Sequence, residues 1–187
     1  MSHYKLIFTG PSGAGKSTAI SMLSDIPVVM TEAKSNEIDK EQKYKQTITV
    51  ALDYGMMKLP NSDKIHLYGT PGQERFNFMW EILAEGGLGL ILLIDNTRTD
   101  PLSDMLFFVK AFSHFIKRDN FAIGITRMDL NNKPKLADYH QKLHPLGFNP
   151  PIFEVDARNK RDVSLLLQAL LYSLDPGLRQ KTTHSIT

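Results

Sequence analysis

The sequence predicts an α/β fold: one three-layer domain with a mostly parallel, roughly six-stranded sheet and helices on both faces. Three observations lead there. Short apolar runs alternate with amphipathic stretches along the whole chain. Three of those runs, "LGLILLID", "FAIGIT" and "PIFEVDA", read as buried strands separated by helices. Near the start, the strand-like "YKLIFT" passes straight into the glycine-rich "GPSGAGKS" and then into the helical "STAISMLSD". With 187 residues and 42% hydrophobic content, the chain has enough material for one sizeable core.

In order, "YKLIFT" is a strand, "GPSGAGKS" a loop and "STAISMLSD" a short helix. "EAKSNEIDKEQKYK" is polar and lacks strong periodicity, so no element is assigned to it. Alternation in "TITVALDYG" marks a strand, and "PNSD" is a hairpin turn into the strand "KIHLYG". After "LGLILLID", a helix opens at Asp100 with Pro101 in its first turn. Leu102, Met105, Leu106, Val109 and Phe112 recur on it at helical spacing and should face the core. The last helix has Asn159 as its cap and Val163, Leu166, Leu167, Leu170, Leu171 and Leu174 on one stripe, before "DPG" stops it. The domain is therefore set at residues 1–176, with 177–187 a flexible tail.

Composition narrows the function classes. Twenty-two Lys and Arg against 20 Asp and Glu leave a net charge of +2, which gives no electrostatic case for nucleic acid or an anionic membrane. Without cysteine there are no disulfides, thiolate metal sites, palmitoylation or prenylated C-terminal box, and Ser2 stands where a myristoylation signal needs glycine. The longest apolar run, "LGLILLI", is too short to span a bilayer. These features describe a soluble cytoplasmic protein with no direct membrane anchor.

Residues 10–17, "GPSGAGKS", fit GxxxxGK[ST] between a predicted strand and a predicted helix. In that motif, glycines let successive backbone N–H groups turn inward onto phosphate oxygens, and the helix N-terminus adds partial positive charge. Gly10, Ser12, Gly13, Ala14, Gly15 and Thr18 are the expected cradle. Lys16 would reach the β- and γ-phosphates, and the Ser17 hydroxyl would face Mg²⁺, a hard cation that prefers oxygen. The motif points to a nucleoside triphosphate and leaves the base open.

Four further segments in the right order make the chain resemble a Ras-like small GTPase from residue 4 to about 175. "TITVALDYG" resembles the TIGVDFG of Rab proteins, which implies that Thr49, or failing it Thr47, closes on Mg²⁺ and the γ-phosphate. "GTPGQERF" resembles the switch II segment, implying that the Gly72 amide contacts the γ-phosphate and that Gln73 orients the attacking water. "TRMD" at 126–129 stands where that family has NKxD, and "DAR" at 156–158 where it has SAK. The base-site residues so implied are Thr126, Arg127, Asp129, Ala157 and Arg158.

The departures from the pattern are informative. Gly69 stands where Ras and Rab proteins keep a carboxylate that steadies the magnesium shell, so another carboxylate must help or metal affinity falls. Bacterial MglA-type switches also carry TxPGQ without that aspartate, and this resemblance implies a roadblock-type regulator or activating protein at switch I and switch II. Asp129 retains the carboxylate that can accept guanine N1–H and the amino group, a geometry that rejects adenine. Ala157 matches the residue whose N–H reads guanine O6. Thr126 replaces a bracing asparagine, and Arg127 replaces a lysine but can still stack through its planar guanidinium. No arginine occurs from 25 to 49; Lys43 and Lys45 are the nearby cations, and Arg75 follows Gln73 as in Rab proteins. The expected activity is a Mg²⁺-dependent GTP/GDP switch with slow hydrolysis to GDP and phosphate, raised by a partner. A GTP-binding scaffold that does not hydrolyse, and a P-loop ATPase, are the alternatives.

Three weaker signals remain. Asp95 at the end of "LILLID" is followed by Asn96 rather than a catalytic acid and is read as structural. His140 and His144 are four apart on a predicted helix, a spacing zinc can use, but no third ligand with motif spacing accompanies them and they are read as surface residues. Phe76, Met79, Trp80 and Leu83 form one face of the switch II helix while Phe78 and Ile82 lie towards the other, so this helix is either core or a partner surface.

Overall fold

The computed structural model describes residues 2–37, 46–60, 62–73, 76–117 and 120–174, with the backbone alone for 31–37 and 46–51. The expected flexible tail at 177–187, as well as Lys43, Lys45 and Arg75, lies outside the described residues.

The chain runs β1 (His3–Thr9), α1 (Lys16–Leu23), β2 (Val29–Glu37), β3 (Gln46–Lys58), β4 (Lys64–Gly69), α2 (Asn77–Ala84), β5 (Gly89–Asp95), α3 (Pro101–Ala111), β6 (Phe121–Thr126), α4 (Leu136–Leu143), β7 (Ile152–Glu154) and α5 (Lys160–Leu174). The sheet has seven strands in the order β2-β3-β4-β1-β5-β6-β7. β3 pairs antiparallel with both β2 and β4, and every other pairing is parallel. The α/β class and the mostly parallel sheet are as expected; the strand count is one higher. The additional strand is β2, which takes in "EAKSNE" entirely. Its polar sequence carries no strand-like alternation, whereas its backbone pairs with β3 along its whole length (Val29↔Tyr54 to Glu37↔Gln46).

The layers follow from the apolar pattern. β5 and β6 are buried along their whole length, as strands covered on both faces must be. On one side, Ala19, Ile20 and Leu23 of α1 and Val163, Leu166, Leu167 and Leu170 of α5 pack on Leu6, Phe8, Leu67 and Ile91. On the other, Trp80 of α2, Met105, Phe108 and Val109 of α3, and Tyr139 and Leu143 of α4 pack on Ile7, Leu90, Leu92 and Ile123.

Helix ends obey local chemistry. The Asp100 carboxylate accepts from the Ser103 N–H at 3.0 Å, with Pro101 opening α3. Asn159 Oδ1 accepts from the Arg161 N–H at 3.0 Å at the start of α5. Among the predicted α3 face, Met105, Val109 and Phe112 are buried, while Leu102 and Leu106 are partly so. β1 lies between β4 and β5, so the loops at the carboxyl ends of β1, β4, β5, β6 and β7 converge on one edge, where ligands bind in open α/β sheets.

Candidate functional site

The loop leaving β1 is built around close backbone approach. Gly10 has φ 135°, and a Cβ there would lie 2.0 Å from the Leu93 carbonyl oxygen, so only glycine fits. Gly15 caps α1, whose first turn receives no side-chain cap, and its N–H groups are left for an anion. Lys16, buried at this helix start, donates from Nζ to the Gly10 and Pro11 carbonyls at 2.8 Å each. Burial pulls its ammonium down to about 8, the neighbouring Asp53 carboxylate offsetting part of that fall.

A carboxylate does stand beside Ser17. The Ser17 hydroxyl donates to Asp53 Oδ2 at 2.5 Å, and Asp53 is buried. Asp53 is the direct β3 partner of Gly69 on β4. A Cβ at Gly69 would lie 3.0 Å from both Cβ and Oδ2 of Asp53, so the absent Gly69 side chain is what leaves room for this one. The hydroxyl and the carboxylate together form a hard oxygen donor pair at the foot of α1, chemistry that fits Mg²⁺. Sequence reasoning missed Asp53, because nothing local in "VALDYG" reveals which residue of β4 it faces.

The segment after β4 lies against the phosphate loop. Thr70 and Thr9 hydroxyls share a buried hydrogen bond of 2.8 Å. A Cβ at Gly72 would fall 2.4 Å from the Ser12 nitrogen and 2.7 Å from the Pro11 carbonyl carbon, so Gly72 touches the loop backbone. Gln73 is exposed next to it. The Trp80 indole N–H donates to the Pro71 carbonyl at 2.9 Å. Phe76 and Trp80 are buried, whereas Phe78 and Ile82 stand 44% and 67% exposed, so α2 is core on one face and open on the other.

A cleft of about 610 Å³ is lined by residues from the connections that follow β1, β6 and β7, among them Gly15, Thr126, Asp129, Ala157 and Arg158. That volume suits a nucleoside. Thr126 does brace the site: its hydroxyl reaches the Ala14 carbonyl at 3.3 Å and the Ile94 carbonyl at 3.2 Å, tying β6 to the phosphate loop. Ala157 closes on the other side, since a Cβ at Gly15 would come within 2.8 Å of its own. Asp129 is exposed at the cleft. Arg127, at φ 59°, turns its guanidinium onto Asp95 in an ion pair. Burial pushes the Asp95 carboxyl up, but the Thr97 hydroxyl and N–H and the Arg127 guanidinium outweigh it and hold it below the usual range. Arg158 pairs with Asp156 at 2.9 Å.

Asn96 carries structural weight. It is fully buried, accepts from the Tyr139 hydroxyl at 2.6 Å, and donates to the Asn131 and Pro134 carbonyls behind the base loop. His140 and His144 are exposed. Thr49 lies on the backbone of β3 opposite Lys34, four residues from Asp53 and so about 14 Å along the strand, at 3.4 Å per residue. Its side chain and that of Thr47 fall outside the described residues. Among the described residues no helix is long and apolar enough to cross a membrane.

Over 95 residues the chain is 34% identical to an uncharacterised protein of Methanocaldococcus jannaschii, a match spanning 50% of this chain and only 52% of that relative. Ras-related protein Rab-13 of Mesocricetus auratus is 25% identical over 97% of this chain and 86% of its own length. Ras-related protein Rab-1D of Dictyostelium discoideum is 24% identical over 86% of this chain and 74% of its own, and GTP-binding protein ypt1 of Schizosaccharomyces pombe is 25% identical over the same shares. Residues 8–171 match the family described as "Conserved hypothetical ATP binding protein", and the chain belongs to that family.

Proposed function

We propose that the protein is a Mg²⁺-dependent GTP/GDP switch that hydrolyses GTP slowly to GDP and phosphate, in the manner of MglA-type GTPases. The observation that carries this reading is Asp53: the carboxylate missing at Gly69 reappears one strand away, against Ser17. In this reading the loop amides and Lys16 hold the phosphates, and Ser17 and Asp53 hold the metal shell. Mg²⁺, held there, would supply positive charge against the phosphates. Thr49 would join that shell only if the outer part of β3 left its pairing with β2. Gln73, exposed beside Gly72, would orient the attacking water, and Asp129 with the Ala157 N–H would read guanine.

An arginine supplied by a partner would complete the charge stabilisation; such a finger is worth about 10³- to 10⁵-fold. The exposed Phe78 and Ile82 give a regulator, of roadblock type by resemblance, a surface on α2. A P-loop ATPase is the competing reading, favoured by the family's description as ATP-binding. The test is a single-turnover experiment with labelled GTP and ATP in Mg²⁺, with Gln73→Leu alongside. Slow phosphate release from GTP alone, abolished by the substitution, is expected. Equal or tighter ATP binding would overturn the guanine assignment, and binding without cleavage would leave a scaffold.

A further inference from the structure

The Pro71–Gly72 peptide unit is held from two directions. Its carbonyl accepts the buried hydrogen bond from Trp80 Nε1 at 2.9 Å. At its other end Gly72 presses on Pro11 and Ser12 of the phosphate loop, too closely for any side chain. Among the described residues the cis peptide bond is Lys133–Pro134, so Pro71–Gly72 is trans, and the C=O and N–H of a trans peptide point in opposite directions. With the carbonyl turned towards the indole on α2, the Gly72 N–H is turned away from α2.

Trp80 is itself fixed. Its ring stacks on Phe112 with centroids 5.6 Å apart and planes 14° from parallel, tilts over Phe108 at 4.9 Å, and meets the edge of Phe107 at 6.0 Å. An indole has a single polar group, a donor, and when buried it needs one acceptor. Here that acceptor is the one carbonyl whose position sets the direction of the Gly72 amide. Stacking alone does not require that choice, since a phenyl ring would pack on Phe112 equally well.

We propose that Trp80 is a positioning residue for the terminal phosphate: its indole N–H holds the Pro71–Gly72 peptide so that the Gly72 amide addresses a nucleoside triphosphate and not a diphosphate. The inference rests on the triphosphate-switch reading above and deepens it. It also gives a physical link between the phosphate loop and α3, because the rings that clamp Trp80 all belong to α3 or its end.

Trp80→Phe keeps a ring in the stack and removes the N–H. It is expected to weaken binding of a non-hydrolysable GTP analogue by roughly three- to tenfold, the worth of one hydrogen bond, with GDP affinity unchanged within about twofold. Phe112→Leu, which loosens the stack and leaves the N–H, is expected to change the triphosphate-to-diphosphate ratio by less. Equal weakening for both nucleotides, or the same ratio change in Phe112→Leu, would reduce Trp80 to packing and overturn the proposal. Should Trp80→Phe not fold, the native protein still decides. It has one tryptophan, and its single indole N–H resonance must shift when GDP is exchanged for the analogue. A resonance indifferent to the third phosphate overturns the proposal, whereas wild-type protein that binds neither guanine nucleotide overturns the switch reading itself.

Discussion

Restoring the expected aspartate at position 69 should damage the protein rather than improve it. In Gly69→Asp the new Cβ would lie 3.0 Å from Cβ and Oδ2 of Asp53 and 3.0 Å from Cδ1 of Ile20. Two carboxylates about 4 Å apart repel by about 4 kcal/mol at an effective dielectric constant of 20. Part of this is relieved by side-chain rotation or by one carboxyl taking a proton, leaving a net destabilisation of about 2–4 kcal/mol. For a domain of this length that is a fall in melting temperature of about 4–16 °C. The penalty should shrink as pH falls through the carboxylate range, because protonation removes the repulsion. Asp53→Asn should instead fold well and weaken Mg²⁺-dependent nucleotide retention by about ten- to a hundredfold, the worth of a charged hydrogen bond. The double variant, with one carboxylate again, should be more stable than the sum of the single effects predicts and should recover most of the metal dependence. The cycle is read by thermal melting and by nucleotide release across a Mg²⁺ titration. A neutral Gly69→Asp, or an Asp53→Asn whose Mg²⁺ dependence equals wild type, would refute the assignment of Asp53 to the metal.

Two further outcomes follow from buried groups. Burial pulls Lys16 down to about 8 in the folded protein against 10.5 when unfolded, so between those values the unfolded chain binds more protons and stability without added nucleotide rises with pH. Triphosphate affinity should run the other way, level below about pH 8 and falling above it as the ammonium is lost; an affinity flat to pH 9.5 would show that Lys16 does not need its charge. Asn96→Ala strands the Tyr139 hydroxyl and two base-loop carbonyls, for a loss of about 2–4 kcal/mol by thermal or urea unfolding and weaker nucleotide binding.

Legibility in the sequence tracked how local each interaction is. The phosphate loop was readable because its cause is contained in eight consecutive residues, and the caps at Asp100 and Asn159 because a side chain meets an N–H two or three positions on. β2 was not readable, since its polar sequence carries no strand-like alternation, although its backbone pairs with β3 along its whole length. Asp53 was hidden for a related reason: its meeting with Ser17 depends on the register Asp53↔Gly69 between two strands. Thr126 stands where the resembled family has a bracing asparagine, and its hydroxyl at the end of β6 reaches the Ala14 carbonyl, 112 positions away, a contact no local pattern announces. Arg127 lines the cleft, but its ion pair with Asp95, 32 positions away, was not legible in the sequence. The open face of α2 was legible from Phe78 and Ile82, whereas the Trp80–Pro71 hydrogen bond across nine residues was not.

Positions 53 and 69 share one seat. Because they face each other across β3 and β4 with room for a single carboxylate, they carry a joint occupancy that neither column of a sequence comparison displays by itself. A search keyed on the aspartate of switch II scores this chain as deficient, although the same charge sits a strand's width away. Among its relatives the two columns should therefore be counted together, with Asp at one predicting a small neutral residue at the other. If Asp53 serves the metal as proposed, chains with neither are the candidates for proteins without it.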